Sequence, residues 1–149
     1  MNIVLVAPEI PHNAGAAGRL ALATGSTLHL VKPLGFSIDE KAVRRAGLDY
    51  WKDVDLKIWD SFASLEKAHP DGRFWMMSTK AEKNVWEVEF QGGDFLVFGR
   101  ESTGLPEEWA RGPMGLRIPM LQSGTRSLNL STSIGIALYE AHRQVGELK

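Results

Sequence analysis

A cluster of small polar side chains precedes the last apolar segment of this 149-residue chain. It directly follows Arg126 and consists of Ser127, Asn129, Ser131, Thr132 and Ser133. A helix usually begins with one capping residue and then carries acidic side chains, which the positive end of the helix dipole stabilises. Because this segment offers hydroxyls and amides but no acid, we expect the start of its helix to face something other than water.

The loop after Phe98 carries a second group of candidate residues. Gly99 and Gly104 permit turns and the close approach of a ligand, and Glu101 places a carboxylate near the end of the preceding apolar segment. A simple turn into a helix, with Pro106 at the first helical position, explains Gly104 and Pro106 equally well. That alternative does not explain why Gly99 and Glu101 occupy their positions.

A third candidate loop lies between residues 7 and 19. Asn13 is suited to cap the helix that follows, and Gly15 and Gly18 allow a phosphate or another backbone to come close. Arg19 is the only charge on this small, apolar helix, although a solvated surface arginine is an equally good explanation. The spacing G-x-G-x-x-G is absent, so the loop does not predict a dinucleotide site.

The histidines and the lack of cysteine exclude several kinds of catalysis. None of the four histidines, which are His12, His29, His69 and His142, has metal-ligand spacing or a local serine partner, so a hydrolase triad is disfavoured. We expect His29, inside a strand, and His142, in the last helix turns, to be structural or solvated. Without cysteine there are no disulfides, no thiolate catalysis and no cysteine-ligated zinc.

Length and composition predict one domain with a substantial core, covering residues 1–149. No apolar run approaches the roughly 20 residues of a membrane span, and the first residues show no basic leader, so we expect a cytoplasmic protein without a signal peptide. The formal net charge of −1 argues against a protein that coats nucleic acid, but it leaves room for a local basic face.

Short apolar runs alternate with helical patterns along the chain. Strands are predicted over 3–6, 27–31, 55–59, 73–78, 94–98 and 115–118, and helices over 13–24, 39–46, 61–68, 107–111 and 128–145. This alternation indicates an α/β sandwich with a largely parallel sheet, in which ligands bind at the carboxyl ends of the strands. The loops after Val6, Ser78, Phe98 and Ile118 are therefore the candidate binding loops.

Three ordered motifs in these loops resemble those of the SPOUT-class RNA 2′-O-methyltransferases. They are Pro8-Glu-Ile-Pro-His-Asn-Ala-Gly with Arg19, Phe98-Gly-Arg-Glu-Ser-Thr-Gly-Leu-Pro, and Ile118-Pro-Met followed by Ser127-Leu-Asn-Leu-Ser. The similarity extends over almost the whole chain and is greatest to the compact TrmL/YibK-type tRNA (cytidine/uridine-2′-O)-methyltransferases. It implies transfer of a methyl group from S-adenosylmethionine (AdoMet) to the ribose of the wobble pyrimidine, position 34, in the tRNA anticodon loop, without a metal.

The resemblance also implies a tertiary and quaternary structure that the residue patterns do not predict. Members of this class form an α/β sandwich with a parallel sheet and a C-terminal deep trefoil knot, a topology that general rules of chain connection would discard. They pair as homodimers and hold AdoMet, which becomes S-adenosylhomocysteine, within the knot.

The site residues implied by the resemblance fall into three groups. The cofactor-binding group is Met77, Ser78, Thr79, Phe98, Gly99, Glu101, Ile118, Met120, Ser127, Leu128 and Asn129. The catalytic group is Arg19, Asn13, Glu101, Asn129 and Tyr139, with a core aromatic at the dimer interface as an equal alternative for Tyr139. The RNA-binding group is Arg19, Lys41, Arg44, Arg45 and Arg126. Basic residues around Tyr50 and Trp51, which include Lys52, suit phosphate contact and base stacking, although a solvated helix over buried aromatics is an equally good explanation. The polar helix start would donate N–H groups and hydroxyls to the cofactor and the RNA backbone.

Arginine stays protonated in proteins, so we do not expect Arg19 to act as the base that activates the ribose hydroxyl. We hypothesise that Arg19 grips the phosphate beside the target ribose and that this phosphate or a water accepts the hydroxyl proton.

Departures from the family pattern leave the substrate preference open but do not touch the cofactor motif. Many relatives have Asn at the position of Ala16 and Pro at that of Arg100, and the loop around Gly124 is one residue longer. Two alternatives to an RNA methyltransferase stay open. One is an inactive AdoMet- or RNA-binding module of the same fold, and the other is a methyltransferase for small molecules or proteins, which the absence of the Gly-rich loop of Rossmann-type methyltransferases disfavours. The joint presence of Asn13, Arg19, Glu101 and Asn129 argues against loss of activity.

Overall fold

The computed structural model describes residues 1–39, 41, 49–146 and 148 of the chain. In this part six parallel strands form one sheet in the order β3-β2-β1-β5-β4-β6. The strands are β1 Asn2–Val6, β2 Thr27–Val31, β3 Leu56–Trp59, β4 Phe74–Met77, β5 Phe95–Phe98 and β6 Gly115–Leu116. The predicted α/β class and the parallel sheet are confirmed.

Helices connect the strands and lie on both faces of the sheet. They are α1 Pro11–Thr24, α2 Phe62–Ala68, α3 Glu107–Ala110 and α4 Leu130–Gln144, with short 3₁₀ turns at Trp51–Asp53 and Val85–Glu87. The helix predicted over 39–46 lies outside the described residues except for its positions 39 and 41. None of the helices in the described part of the chain is long and apolar enough to cross a membrane.

The pleat of the strands divides the apolar side chains between two cores. Ile3 and Leu5 of β1 face a core that α1 and α4 cover, whereas Val4 faces a second core that α2 and the segment around α3 cover. Successive strand residues point to opposite faces, so a strand covered on both sides must be apolar throughout. The four residues of β5 show this most clearly, because all of them are buried.

The two long helices begin differently from each other. The first begins at Pro11, whose missing N–H costs nothing at that position, and Ile10 precedes it without a capping side chain. The prediction that Asn13 caps this helix is therefore wrong: Asn13 lies inside the first turn and is buried. At α4, by contrast, Asn129 is a true cap, and its side-chain oxygen accepts from the amides of Ser131 and Thr132.

The parallel sheet brings four loops to the same edge. Residues 7–10 follow β1, residues 78–84 follow β4, residues 99–106 follow β5, and residues 117–129 lead from β6 to α4. Strand β6 ends at Leu116 and is shorter than the predicted 115–118, because Arg117 leaves the sheet. The backbone N–H of Arg117 donates to the Lys83 carbonyl, and its own carbonyl accepts from the Val85 N–H. These bonds anchor the loop after β4 against the beginning of the loop after β6.

Candidate functional site

A pocket of about 630 Å³ opens at the carboxyl ends of β4, β5 and β6. This volume lies within the range of roughly 300–1,000 Å³ that is usual for small-molecule sites. Its lining includes every one of the residues predicted to bind the cofactor: Met77, Ser78, Thr79, Phe98, Gly99, Glu101, Ile118, Met120, Ser127, Leu128 and Asn129. Met77 and Asn129 are 52 positions apart in the chain yet line one cavity, and Asn13 and Arg126 line it as well.

The loop after β5 folds back on itself over Gly99. A Cβ atom at this position would overlap the backbone of Gly104 and Leu105, so only glycine fits. The N–H of Gly104 donates to the carbonyl of Arg100 at 2.8 Å, and Gly104 has a φ of +71°, which favours glycine. Both glycines therefore shape the wall of the pocket through the chain's own backbone.

Reciprocal hydrogen bonds join the loop after β5 to the loop after β1. Glu101 Oε2 accepts from the backbone N–H of Glu9 at 2.7 Å. In return, Glu9 Oε1 accepts from the Ser102 N–H at 3.0 Å and the Ser102 hydroxyl at 2.6 Å. The Ser102 bonds, together with the nearby charge of Arg100, hold the pKa of Glu9 below its ordinary value. Sequence reasoning did not assign roles to Glu9 or Ser102, and only their presence in the two motifs could have indicated them.

Two polar atoms of pocket-lining residues are buried without a hydrogen-bond partner in the described structure. They are Glu101 Oε1, an acceptor, and Arg100 Nε, a donor. Buried polar groups are nearly always hydrogen-bonded in folded proteins, because an unmade bond carries the full cost of desolvation. These atoms mark where the pocket has hydrogen-bonding capacity left for a ligand.

The polar start of α4 is partly used by the chain itself. Asn129 Oδ1 accepts from the Ser131 N–H at 2.9 Å and the Thr132 N–H at 3.4 Å. These two amides are therefore bonded within the chain, and donation to a ligand by the other N–H groups and hydroxyls of this helix start stays a prediction. Ser127 and Ser133 do line the pocket, and Asn129 Nδ2 lies 3.5 Å from Asn13 Oδ1, which joins the two helix starts.

Several predicted catalytic and RNA-binding residues lie outside the lining of the pocket. Arg19 is exposed on α1, with its guanidinium 5.8 Å from the centre of the Tyr50 ring. Tyr139 is 42% exposed on α4, and Lys41 is exposed. Arg44 and Arg45 lie outside the described residues. Trp51 is buried against Gly18, so its ring is not free to stack on a base.

The pocket and its motifs lie within a stretch that one protein-family model matches. The model of the SpoU rRNA methylase family matches residues 1–139. This chain belongs to the SpoU rRNA methylase family. A curated relative from Polaromonas sp. strain JS666 is 48% identical over 97% of this chain and 91% of its own length. It is named tRNA (cytidine(34)-2′-O)-methyltransferase.

Solved structures also resemble this SpoU-family protein over nearly its whole length. One, described as "Structural insights into the 2-OH methylation of C/U34 on tRNA", is 50% identical, with a TM-score of 0.88 over 96% of this chain and 94% of that one. A SpoU methyltransferase from Streptomyces viridochromogenes, solved in complex with AdoMet, has a TM-score of 0.82 at 23% identity. It covers 97% of this chain and 57% of its own, and at this identity it supports the fold alone.

The histidines of this SpoU-family chain do not line the pocket. His29 is buried; its Nδ1 accepts from the Trp59 indole at 3.0 Å, which leaves Nε2 to donate to Asn2 Oδ1 at 3.0 Å. Burial, with the neighbouring charge of Lys57, lowers the pKa of His29 to about 4. His142 is also buried, beside Ser26, so both histidines are structural. Among the described residues no three histidines or carboxylates are grouped to hold a metal.

Proposed function

We propose that this protein transfers a methyl group from AdoMet to the ribose 2′-hydroxyl of the pyrimidine at position 34 of tRNA, in the cytoplasm. The observation that carries the proposal is the convergence of three separate family motifs on one pocket of suitable size. The names of the relatives, which concern cytidine 34 and C/U34, support the choice of nucleotide.

The pocket residues fit AdoMet in size and in hydrogen-bonding character. Phe98, Ile118 and Met120 offer apolar surface for an adenine ring, and the backbone around Leu128 offers amides and carbonyls. The free Oε1 of Glu101 is an acceptor without a partner in the described structure, which suits a ligand that carries amino and hydroxyl donors. When bound, AdoMet supplies a methyl group on a positively charged sulfur. The role of the pocket is then to hold that methyl group in line with the ribose oxygen.

Arg19 and Asn13 are proposed to act on the RNA side of the reaction. Asn13 is buried at the pocket, next to the cap of α4, where its amide orders the wall that faces the ribose. Arg19 grips the phosphate beside that ribose through its planar fork, and the phosphate or a water accepts the proton. Single-turnover methylation by Arg19→Lys tests this role, because activity close to that of the unsubstituted protein would remove the need for a fork.

We further propose a homodimer in which the partner subunit supplies Arg19 to the pocket. Arg19 is exposed and does not line the pocket of its own chain. The layer formed by α1 and α4 also leaves apolar side chains uncovered, with Leu22 38% and Tyr139 42% exposed. Pairing through this layer would bury both side chains and place Tyr139 at the interface.

Mixed dimers test the shared site directly. Arg19→Ala and Glu101→Ala subunits carry different tags, and each variant is expected to be inactive as a homodimer. If Arg19 acts across the interface, the mixed dimer regains methylation, because one pocket keeps both groups. If Arg19 acts within its own subunit, the mixed dimer stays inactive, which would contradict the shared site.

A trefoil knot and a single domain complete the proposed architecture. After β6, at one edge of the sheet, the chain returns to pack α4 against α1 and β5, passing the loops that line the pocket. We propose that residues 117–129 and α4 thread through the loop after β5 during this return. Unfolding and refolding of a variant with a bulky C-terminal fusion would slow markedly if threading is required.

The decisive experiment measures the modified nucleoside. The purified protein is incubated with labelled AdoMet and bulk tRNA, and the digested RNA is searched for 2′-O-methylcytidine and 2′-O-methyluridine at position 34. Transcripts with a purine at position 34 serve as the control and should accept no label. Binding of AdoMet without any transfer would identify the inactive binding module instead.

A further inference from the structure

Cations dominate the charged side chains at the pocket. Lys80 follows β4, Arg100 follows β5 and Arg126 lies in the loop before α4, so each comes from a different loop. Glu101 is the carboxylate that lines the same cavity, and one of its oxygens is already bonded to the Glu9 N–H. The whole chain has a net charge of −1, so this excess of positive charge is local.

Arg100 differs from four other arginines of the described structure in what its side chain contacts. Arg73, Arg111, Arg117 and Arg143 each donate to an oxygen of the chain. Arg100 instead has a buried Nε without an acceptor in the described structure, and the nearby carboxylate of Glu9 accepts from Ser102. A buried guanidinium N–H without an acceptor is costly, which favours an acceptor from outside the chain.

The backbone at Arg100 is held in place by the chain itself. Its carbonyl accepts from Gly104, and the preceding Gly99 is pressed against the returning loop. Lys80 is similarly anchored, because its N–H donates to the Ser78 hydroxyl at 3.2 Å. The nearby carboxylate of Glu107 is already paired with Arg111 at 2.7 Å, which leaves the ammonium group of Lys80 for another anion.

We propose that Arg100 and Lys80, together with Arg126, form a cationic rim that binds phosphates of the RNA next to the target ribose. The inference rests on the proposed function and names the groups that hold the substrate at the pocket. AdoMet carries a sulfonium and an ammonium group against a single carboxylate, so three cations do not complement its charge. A polyanion does complement them, and arginine and lysine are the usual partners of phosphate.

The salt dependence of tRNA binding tests the rim without relying on catalysis. The variants are Arg100→Gln and Lys80→Gln, alone and combined, with S-adenosylhomocysteine present throughout. Each single substitution is expected to weaken binding about three- to tenfold at low salt and to reduce the slope of log K against log salt by roughly 0.7, and the combined variant should reduce the slope by about twice as much. Arg100→Lys should keep the slope, which separates loss of charge from loss of folding.

Lys67→Gln is the matched control, because Lys67 is an exposed lysine on α2, away from the pocket. It should leave both the affinity and the slope unchanged. An unchanged slope in Arg100→Gln and Lys80→Gln would overturn the rim, as would weaker binding of S-adenosylhomocysteine with normal tRNA binding. Salt-dependent tRNA binding that these variants reduce, in a protein that does not methylate tRNA, would support the rim and contradict the proposed function.

Discussion

Asp94 and Glu101 flank the two ends of β5, and the chain satisfies the first carboxylate far more completely than the second. Asp94 Oδ2 accepts from the Trp75 indole at 2.8 Å and the Gln91 N–H at 2.9 Å, and Oδ1 lies 3.4 Å from Arg73 Nε. Glu101 has one oxygen on the Glu9 N–H and one buried oxygen without a partner in the described structure. The amino end of the strand is thus built for stability, whereas the carboxyl end keeps bonding capacity for a ligand.

This contrast extends to the residues around each carboxylate. Near Asp94, the guanidinium of Arg73 lies over the Trp75 ring and also donates to the Glu89 carbonyl. Near Glu101, the guanidinium of Arg100 has an unpaired Nε. A protein can tolerate incomplete hydrogen bonding where a ligand completes it, because binding then recovers part of the cost of burial.

The largest expected effect follows from removing the satisfied carboxylate. Asp94→Ala should lower the free energy of unfolding by about 3–5 kcal/mol, because it leaves Arg73 and the Trp75 indole without their buried partner. Urea denaturation at pH 7 measures the change. Asp71→Ala, in an exposed turn, is the control and should stay within about 0.5 kcal/mol. Equal effects of the two substitutions would remove the contrast between the two ends of β5.

Acid should lower the free energy of unfolding through His29, which is buried and does not line the pocket. The pKa of His29 is about 4 in the folded protein against an ordinary 6.5, so the unfolded chain binds a proton first. The free energy of unfolding should therefore fall as the pH drops from 6.5 to 4, by about 3 kcal/mol in total. Denaturation at several pH values, compared with His29→Gln, isolates this contribution. The same pH dependence in His29→Gln would contradict the assignment.

Adding one methyl group on the pocket side should destabilise the loop. Gly99→Ala forces a Cβ into the backbone of Gly104 and Leu105, so we expect a loss of about 2 kcal/mol and weaker binding of S-adenosylhomocysteine. Gly92→Ala is the control, since nothing lies within 4 Å of a Cβ there, and it should be neutral or slightly stabilising. Thermal unfolding and calorimetry measure the two effects, and normal binding by Gly99→Ala would show that the loop adapts.

The smallest change in stability is expected at the unsatisfied carboxylate. Glu101→Gln keeps an oxygen for the Glu9 N–H, so the free energy of unfolding should change by less than about 1 kcal/mol. Because the other oxygen becomes a donor, the affinity for S-adenosylhomocysteine should fall about tenfold. Glu108→Gln, exposed on α3, is the control for calorimetry. An unchanged affinity would mean that Glu101 only joins the two loops.

The accuracy of the sequence-based predictions depends on how local each feature is. The helix predicted over 61–68 is confirmed with Ser61 as its cap, because the cap needs only Ser64 three residues away. Asn13 was wrongly assigned as a cap, since Pro11 starts the helix earlier and the amide turns towards Asn129, which is 116 residues away. No local pattern records such a contact. The residues predicted to bind the cofactor line one cavity, and the family resemblance supplied the long-range information that grouped them.

The sequence by itself determined the alternation of strands and helices, the parallel sheet and the loops that carry the motifs. These follow from periodicity, turn residues and burial over short windows. The tertiary structure decided the strand order, the bonds between Glu9, Glu101 and Ser102, and which polar atoms stay unpaired. Those features depend on distances between distant segments, which only the packed chain specifies, since a given loop has the same local preferences whether or not it meets its partner.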